Sequence, residues 1–182
     1  RFDQWDYEEI LKKNIPDLVA AAGARAVELL SDLLEAAVRY SQSEGTKYAP
    51  WDYSWIWRPA IEDHAQNQHH GIRSLLVTSL RDACESLIRK KKEDAERLIR
   101  ILESPKYPWH VFRRIVLHLL RLFPESMDDL IAQELTDYTV FDTHAFRHEY
   151  AILLRDCFEL LSEERQETIL GWIEQGPPDL EE

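Results

Sequence analysis

Glycine is scarce in this sequence, five among 182 residues, and the chain holds only two cysteines. Five scattered glycines supply no glycine-rich loop to cradle phosphates, so a P-loop nucleotide site is excluded from these residues. Cys84 and Cys157 each fall inside an apolar helical pattern, with no Cys or His at catalytic spacing. They read as small buried hydrophobes rather than a disulfide framework, and a reducing, cytoplasmic setting is expected. Long hydrophobic runs are also missing: none approaches the ~18–20 residues of a membrane span, and no signal-peptide pattern opens the chain. Basic charge is short as well, 22 Lys and Arg against 34 Asp and Glu, for a formal charge of −12. Such a field disfavours sequence-blind binding to nucleic acid or to an anionic membrane.

What the chain does contain is helical periodicity. Apolar residues recur at three- and four-residue steps nearly throughout, and no stretch alternates as strands do, so the fold class is all-α. A first helix is expected from Asp6 to about Ala22, kinked or restarted at Pro16, and a second from Ala24 to Gln42. Residues 43–57 read as an aromatic loop, and "RPAIEDHAQN" (58–67) as a short helix with Pro59 near its first turn. Beyond Gly71, long helices near 70–90, 108–123 and 143–161 alternate with shorter ones near 92–104, 126–136 and 163–175. Prolines 105, 108 and 124 punctuate the joins.

The three long segments share a register. "HGIRSLLVTSLRDA" begins at His70, "HVFRRIVLHLLRLF" at His110 and "HAFRHEYAILLRDC" at His144, and each carries H-x-[I/F]-R followed by L-R after six residues. Leucine and arginine are common in helices; three of only seven histidines in one register are harder to dismiss. Spacings of 40 and 34 residues with two helices per unit are those of solenoids, whose hairpins must stack to bury their apolar faces. The expected architecture is an α-α superhelix of the HEAT, armadillo or tetratricopeptide kind, with a compact helical bundle as the competitor. One helical-repeat domain over 1–182 follows, an N-terminal hairpin and aromatic loop (1–57) leading into about three repeats (58–182). The chain opens at Arg1 without a methionine, inside an amphipathic pattern, and is expected to be a piece of a longer polypeptide.

Within the repeats, Phe112, Val116, Leu119 and Phe123 and their counterparts form the stacking core. The repeated arginines share another stripe, Arg73, Arg113 and Arg147 as one ladder and Arg81, Arg121 and Arg155 as a second. Paired with the surplus carboxylates, they would tie repeat to repeat through forked hydrogen bonds, which is the favoured reading. Unpaired, they would line a surface for an anionic partner such as an acidic peptide or a phosphate-bearing ligand.

The stretch "WDYSWIWRPAIEDHAQNQHHG" (51–71) raises the one chemical alternative: Glu62, Asp63, His64, His69 and His70 as a metal or catalytic centre. His64 and His69 are wrongly spaced for one helical face, unlike an H-E-x-x-H pair. The favoured alternative is a structural join, with Trp51, Trp55 and Trp57 filling space between the hairpin and the repeats while Arg58, Glu62 and Asp63 hold the turn. A second His pair, His144 and His148 beside Glu149, has the cation Arg147 between its members, which opposes a metal. Trp51, Asp52, Trp57 and Arg58 imitate the groove set of some HEAT-like DNA glycosylases, a reading the acidic balance opposes. No cofactor is expected.

The segments "WIWRPAIEDHAQN", "FRRIVLHLL", "HEYAILL" and "GWIEQGP" resemble helical-repeat regions of large, mostly uncharacterised bacterial multidomain proteins, some carrying a STAND-type nucleotide-binding engine elsewhere and linked to antiviral defence. The resemblance covers about residues 51–178 and implies a scaffold or sensor array. It carries over no catalytic residue. The expected function is therefore a non-enzymatic module whose partner is a protein, a peptide or another domain of the parent chain; the alternative is a metal-dependent catalytic helical domain centred on residues 62–70.

Overall fold

The computed structural model describes residues 4–41 (side chains from residue 9), 52–67 and 71–176, and among these residues all regular structure is helical. Helices α1 (Gln4–Ala22) and α2 (Ala24–Ser41) form a hairpin joined by the single residue Gly23. Gly23 has φ of 54°, a left-handed conformation that ends α1 and reverses the chain within one residue. Helix α1 runs unbroken through Pro16, which sits on its exposed side, so the carbonyl that the proline leaves without a donor can be hydrated.

A short helix α3 (Ser54–Trp57) follows, and then α4 (Ile72–Lys90), α5 (Ala95–Leu102), α6 (His110–Leu122), α7 (Asp128–Leu135), α8 (Tyr138–Asp142), α9 (Arg147–Cys157) and α10 (Glu163–Gln175). Helix α4 packs on both helices of the N-terminal hairpin and, on another side, against α6. Helix α6 in turn packs against α9, while α5 and α7 flank it. Being surrounded, α6 buries Val111, Phe112 and every residue from Arg114 to Leu120. One contiguous set of buried apolar side chains runs from Ile15 in α1 to Ile169 in α10. Near the C-terminal end, Trp172 of α10 meets the rings of Tyr138 and Phe141 of α8, with centroids 5.2 and 5.3 Å apart.

Four stretches differ from the sequence-based expectation. Residues 54–57, expected as loop, form α3, held by Asp52, whose carboxylate accepts from the Ser54 amide at 2.8 Å. The helix expected near 143–161 is interrupted: 3-10 turns at His144–Phe146 and Phe158–Leu160 bracket an α9 of 11 residues. Ahead of it lies the extra helix α8, whose start is capped by Asp137 accepting from the Thr139 amide. The largest departure is 58–67, which is not helical.

Candidate functional site

The reason 58–67 is not a helix defines the most elaborate polar structure of the molecule. A helix would pair the backbone groups of this segment with one another; here, side chains from three other elements take them instead. Arg58 folds back, its Nε donating to the Ala60 carbonyl at 2.8 Å and its Nη2 to the Ile61 carbonyl at 3.0 Å. From α4, Arg81 Nη1 reaches the same Ile61 carbonyl at 2.9 Å. From α6, Arg114 Nη2 reaches the Pro59 carbonyl at 3.0 Å. From α9, Glu149 Oε1 accepts from the Ile61 amide at 3.0 Å. Within the segment, Asn67 closes the turn by accepting from the Ala60 amide and donating to the Glu62 carbonyl.

At the centre is a forked ion pair. Arg114 is 0% exposed and Glu149 1%, with Nε to Oε2 at 2.7 Å and Nη2 to Oε1 at 2.9 Å. Two parallel N–H···O bonds in a low-dielectric interior fix the mutual position of α6 and α9 far more sharply than apolar contact alone. Arg58 is buried too, yet its three contacts are two carbonyls and the Ser74 hydroxyl, without a carboxylate. Burial, with the nearby charges of Arg81 and Arg114, pulls its guanidinium down to about 10.

Asp52 does a related job at the entry to this region. Its side chain is buried, one oxygen accepting from the Ser54 amide and the other from the Val111 amide at 2.7 Å. Val111 is in the first turn of α6, where Trp109 at the cap position makes no side-chain bond. A residue 59 positions upstream thus caps α6. The Trp57 indole N–H donates to the Asp52 carbonyl at 3.0 Å, which fixes the orientation of α3. Asp52 and Arg58 are consequently both buried in backbone contacts rather than presented in a groove.

The six repeated arginines fall into unlike surroundings. Arg81 bridges Asp63 and Asp82, and Arg121 bridges Glu62 at 2.6 Å and Asp156 at 3.6 Å. Arg155 pairs with Asp156 on the surface. Arg113 joins Glu103 and Glu134, while Arg73 lies over the Trp57 ring at 4.6 Å and donates to the Ser41 hydroxyl. Arg147 alone of the six is exposed without an ion pair or hydrogen bond among the described residues.

The same contacts place the alternative metal set. Glu62 is engaged by Arg121 and lies 3.6 Å from His148, Asp63 is engaged by Arg81, and His64 is exposed, its Nδ1 accepting from the Gln66 amide. His69, His70 and Trp51 lie outside the described residues. Among the described residues no group of three or more His, Cys, Asp or Glu side chains is arranged to hold a metal ion. Cys84 and Cys157 are buried free thiols, and burial pushes both upward in pKa, away from the thiolate.

Among the described residues, Glu134 is a buried carboxyl whose protonation falls near neutrality. Burial raises it, Arg113 opposes and Glu103 adds to the rise, leaving it at about 7. Between the ordinary carboxyl value near 4.5 and about 7 the folded chain therefore holds a proton that the unfolded chain has released, so stability falls as pH rises through that window and levels off above it. Glu134→Gln removes the titration, and melting curves from pH 4.5 to 8 are expected to diverge: the native protein loses on the order of 1–3 kcal/mol relative to the variant. Parallel curves for the two proteins would contradict this.

Of the central pair, Arg114 is absent from the sequence-based candidates, and Glu149 enters there only beside the His144 and His148 pair, not as the partner of a buried arginine. The available signal was Glu149 itself, which in the shared register occupies the place of Leu75 and Ile115. A carboxylate at a core position requires a buried cation. Comparison with models of known protein families, with curated proteins and with solved structures finds no match for this chain.

Proposed function

We propose that the chain is a non-catalytic interaction scaffold, a stack of helical hairpins of the HEAT, armadillo or tetratricopeptide kind that receives a protein, a peptide or another domain of a longer bacterial polypeptide in the cytoplasm. One observation carries this reading: the polar side chains around 58–67 are engaged in holding the fold. Glu62, Asp63, Glu149, Arg58, Arg81, Arg114 and Arg121 all direct hydrogen bonds or ion pairs to the segment 58–67 or to its neighbours. A catalytic group needs a reactive atom left over for a substrate.

The order of packing supports the stacked arrangement, since α4, α6 and α9, the three segments in shared register, pack α4 on α6 and α6 on α9. The resemblance of residues 51–178 to repeat regions of large bacterial proteins agrees with it, including the STAND-type context.

Two measurements on untagged protein test the proposal. Elemental analysis is expected to find no stoichiometric transition metal. Arg113→Ala combined with Arg121→Ala is expected to destabilise by about 2–4 kcal/mol, because Glu134 and Glu62 are left partly or wholly buried without their cation. A bound metal, or a double variant that melts with the native protein, would count against a scaffold built on internal ion pairs.

A further inference from the structure

Arg147, the repeated arginine without an ion pair or hydrogen bond among the described residues, lies on an open groove of about 410 Å³ between α3 and the start of α9. Trp55 and Ile152 supply apolar walls, while His144 and His148 stand beside Arg147 on the α9 side. The Trp55 and His144 rings meet edge to face at 5.8 Å. Arg114 lines the same groove from beneath. Its Nε and Nη2 are used by Glu149 and Pro59, but its buried Nη1 has no hydrogen-bond partner among the described residues.

The charge below the groove is lopsided. Arg81 is matched by Asp63, Asp82 and the mostly enclosed Glu85, and Arg114 by Glu149, but buried Arg58 has no carboxylate partner and exposed Arg147 adds a further cation at the rim, while no acidic side chain among the described residues lines the groove. Glu62, which approaches His148, is engaged by Arg121. A chain of net charge −12 thus presents, at this one groove, a positive field over apolar walls. Desolvated low-dielectric walls focus such a field.

Resting on the scaffold reading, we infer that the groove formed by Trp55, His144, Arg147, His148 and Ile152 binds a peptide segment carrying a single carboxylate flanked by apolar side chains. Arg147 takes the carboxylate through its fork, and Trp55 and Ile152 take the neighbouring apolar groups. The overall negative charge disfavours polyanions at longer range, which is why one carboxylate among apolar residues fits better than a run of acids or a nucleic acid.

The test is an NMR titration of the 15N-labelled chain with two capped peptides, acetyl-Leu-Glu-Leu-amide and acetyl-Leu-Gln-Leu-amide, with sodium acetate as a third probe at matched ionic strength. The acidic peptide is expected to shift the Trp55 indole, assigned through Trp55→Phe, and the amides of residues 145–152 saturably. The amide analogue and acetate should each bind about tenfold more weakly. Arg147→Ala should weaken the acidic peptide by about tenfold at an unchanged melting temperature, with Arg147→Lys between the two. Equal binding of the two peptides, shifts confined to other surfaces, or an indifferent Arg147→Ala would overturn the assignment. The melts of the Arg113/Arg121 variant are independent of this titration, so a failed groove and a failed scaffold are distinguishable.

Discussion

Glu149→Ala is expected to destabilise the protein by about 3–5 kcal/mol, the cost of leaving a buried guanidinium without its carboxylate. Arg114 cannot swing to water, being wholly enclosed, and the Ile61 amide loses its acceptor in the same substitution. Arg114→Ala should be comparably damaging, since it strands the carboxylate and removes the donor to the Pro59 carbonyl. The informative variant is the pair Arg114→Met with Glu149→Leu. Well-packed apolar replacements of a buried ion pair recover much or all of the stability lost by either single truncation. Hence the double variant should melt well above both single alanine variants, while the backbone of 58–67, deprived of two of its clamps, should exchange amide hydrogen faster than in the native protein. If Glu149→Ala unfolds within about 1 kcal/mol of the native protein, the pair is not the keystone described above.

The second large effect is expected at Asp52. Asp52→Ala removes the acceptor for two buried amides, Ser54 and Val111. Each unsatisfied buried amide costs about 1–3 kcal/mol, so the loss should total about 2–6 kcal/mol. Asp52→Asn keeps one acceptor oxygen and should fall between native and alanine. Hydrogen exchange locates the effect: protection at Val111 should drop sharply, because no side chain of the α6 cap itself can substitute for the one that reaches it from residue 52. An asparagine variant as stable as the native protein would mean that the second carboxylate oxygen contributes nothing.

Both residues bear on what kind of protein this is. Asp52, Arg58, Glu62 and Asp63 could each be read in isolation as members of a catalytic or groove constellation. Their observed contacts are with amides, carbonyls and arginines of the chain itself, which is the behaviour of a folded join between the N-terminal hairpin and the later helices. Arg147 is left over, and with it the groove beside Trp55.

Helix α2 illustrates what was legible beforehand. Its buried positions Val27, Leu30, Leu34 and Val38 follow the helical period so closely that the element could be bounded to within a residue or two, and Gly23 marked its start. The same held for α4 and α6, whose apolar positions recur at helical spacing. Segment 58–67 was misread for a definite reason. Its residues are acceptable helix formers, with Pro59 suited to a first turn, so local propensity argued for a helix. The decisive groups were distant: Arg81, Arg114 and Glu149 lie 20, 55 and 88 residues from the backbone atoms they bind. A similar limit separated Arg113 from Arg114. The motif H-x-F-R drew attention to the first, which is half-buried, whereas the wholly buried cation is the residue beside it.

By itself, then, the order of residues decided that this chain is helical and where most helices begin and stop, because both follow from side chains within a few positions of one another. Only the tertiary structure decided which charges are paired within the described residues and which are not. An arginine is silenced by a carboxylate within about 3 Å of it, and proximity on that scale is set by how helices pack, not by how far apart two residues stand along the chain.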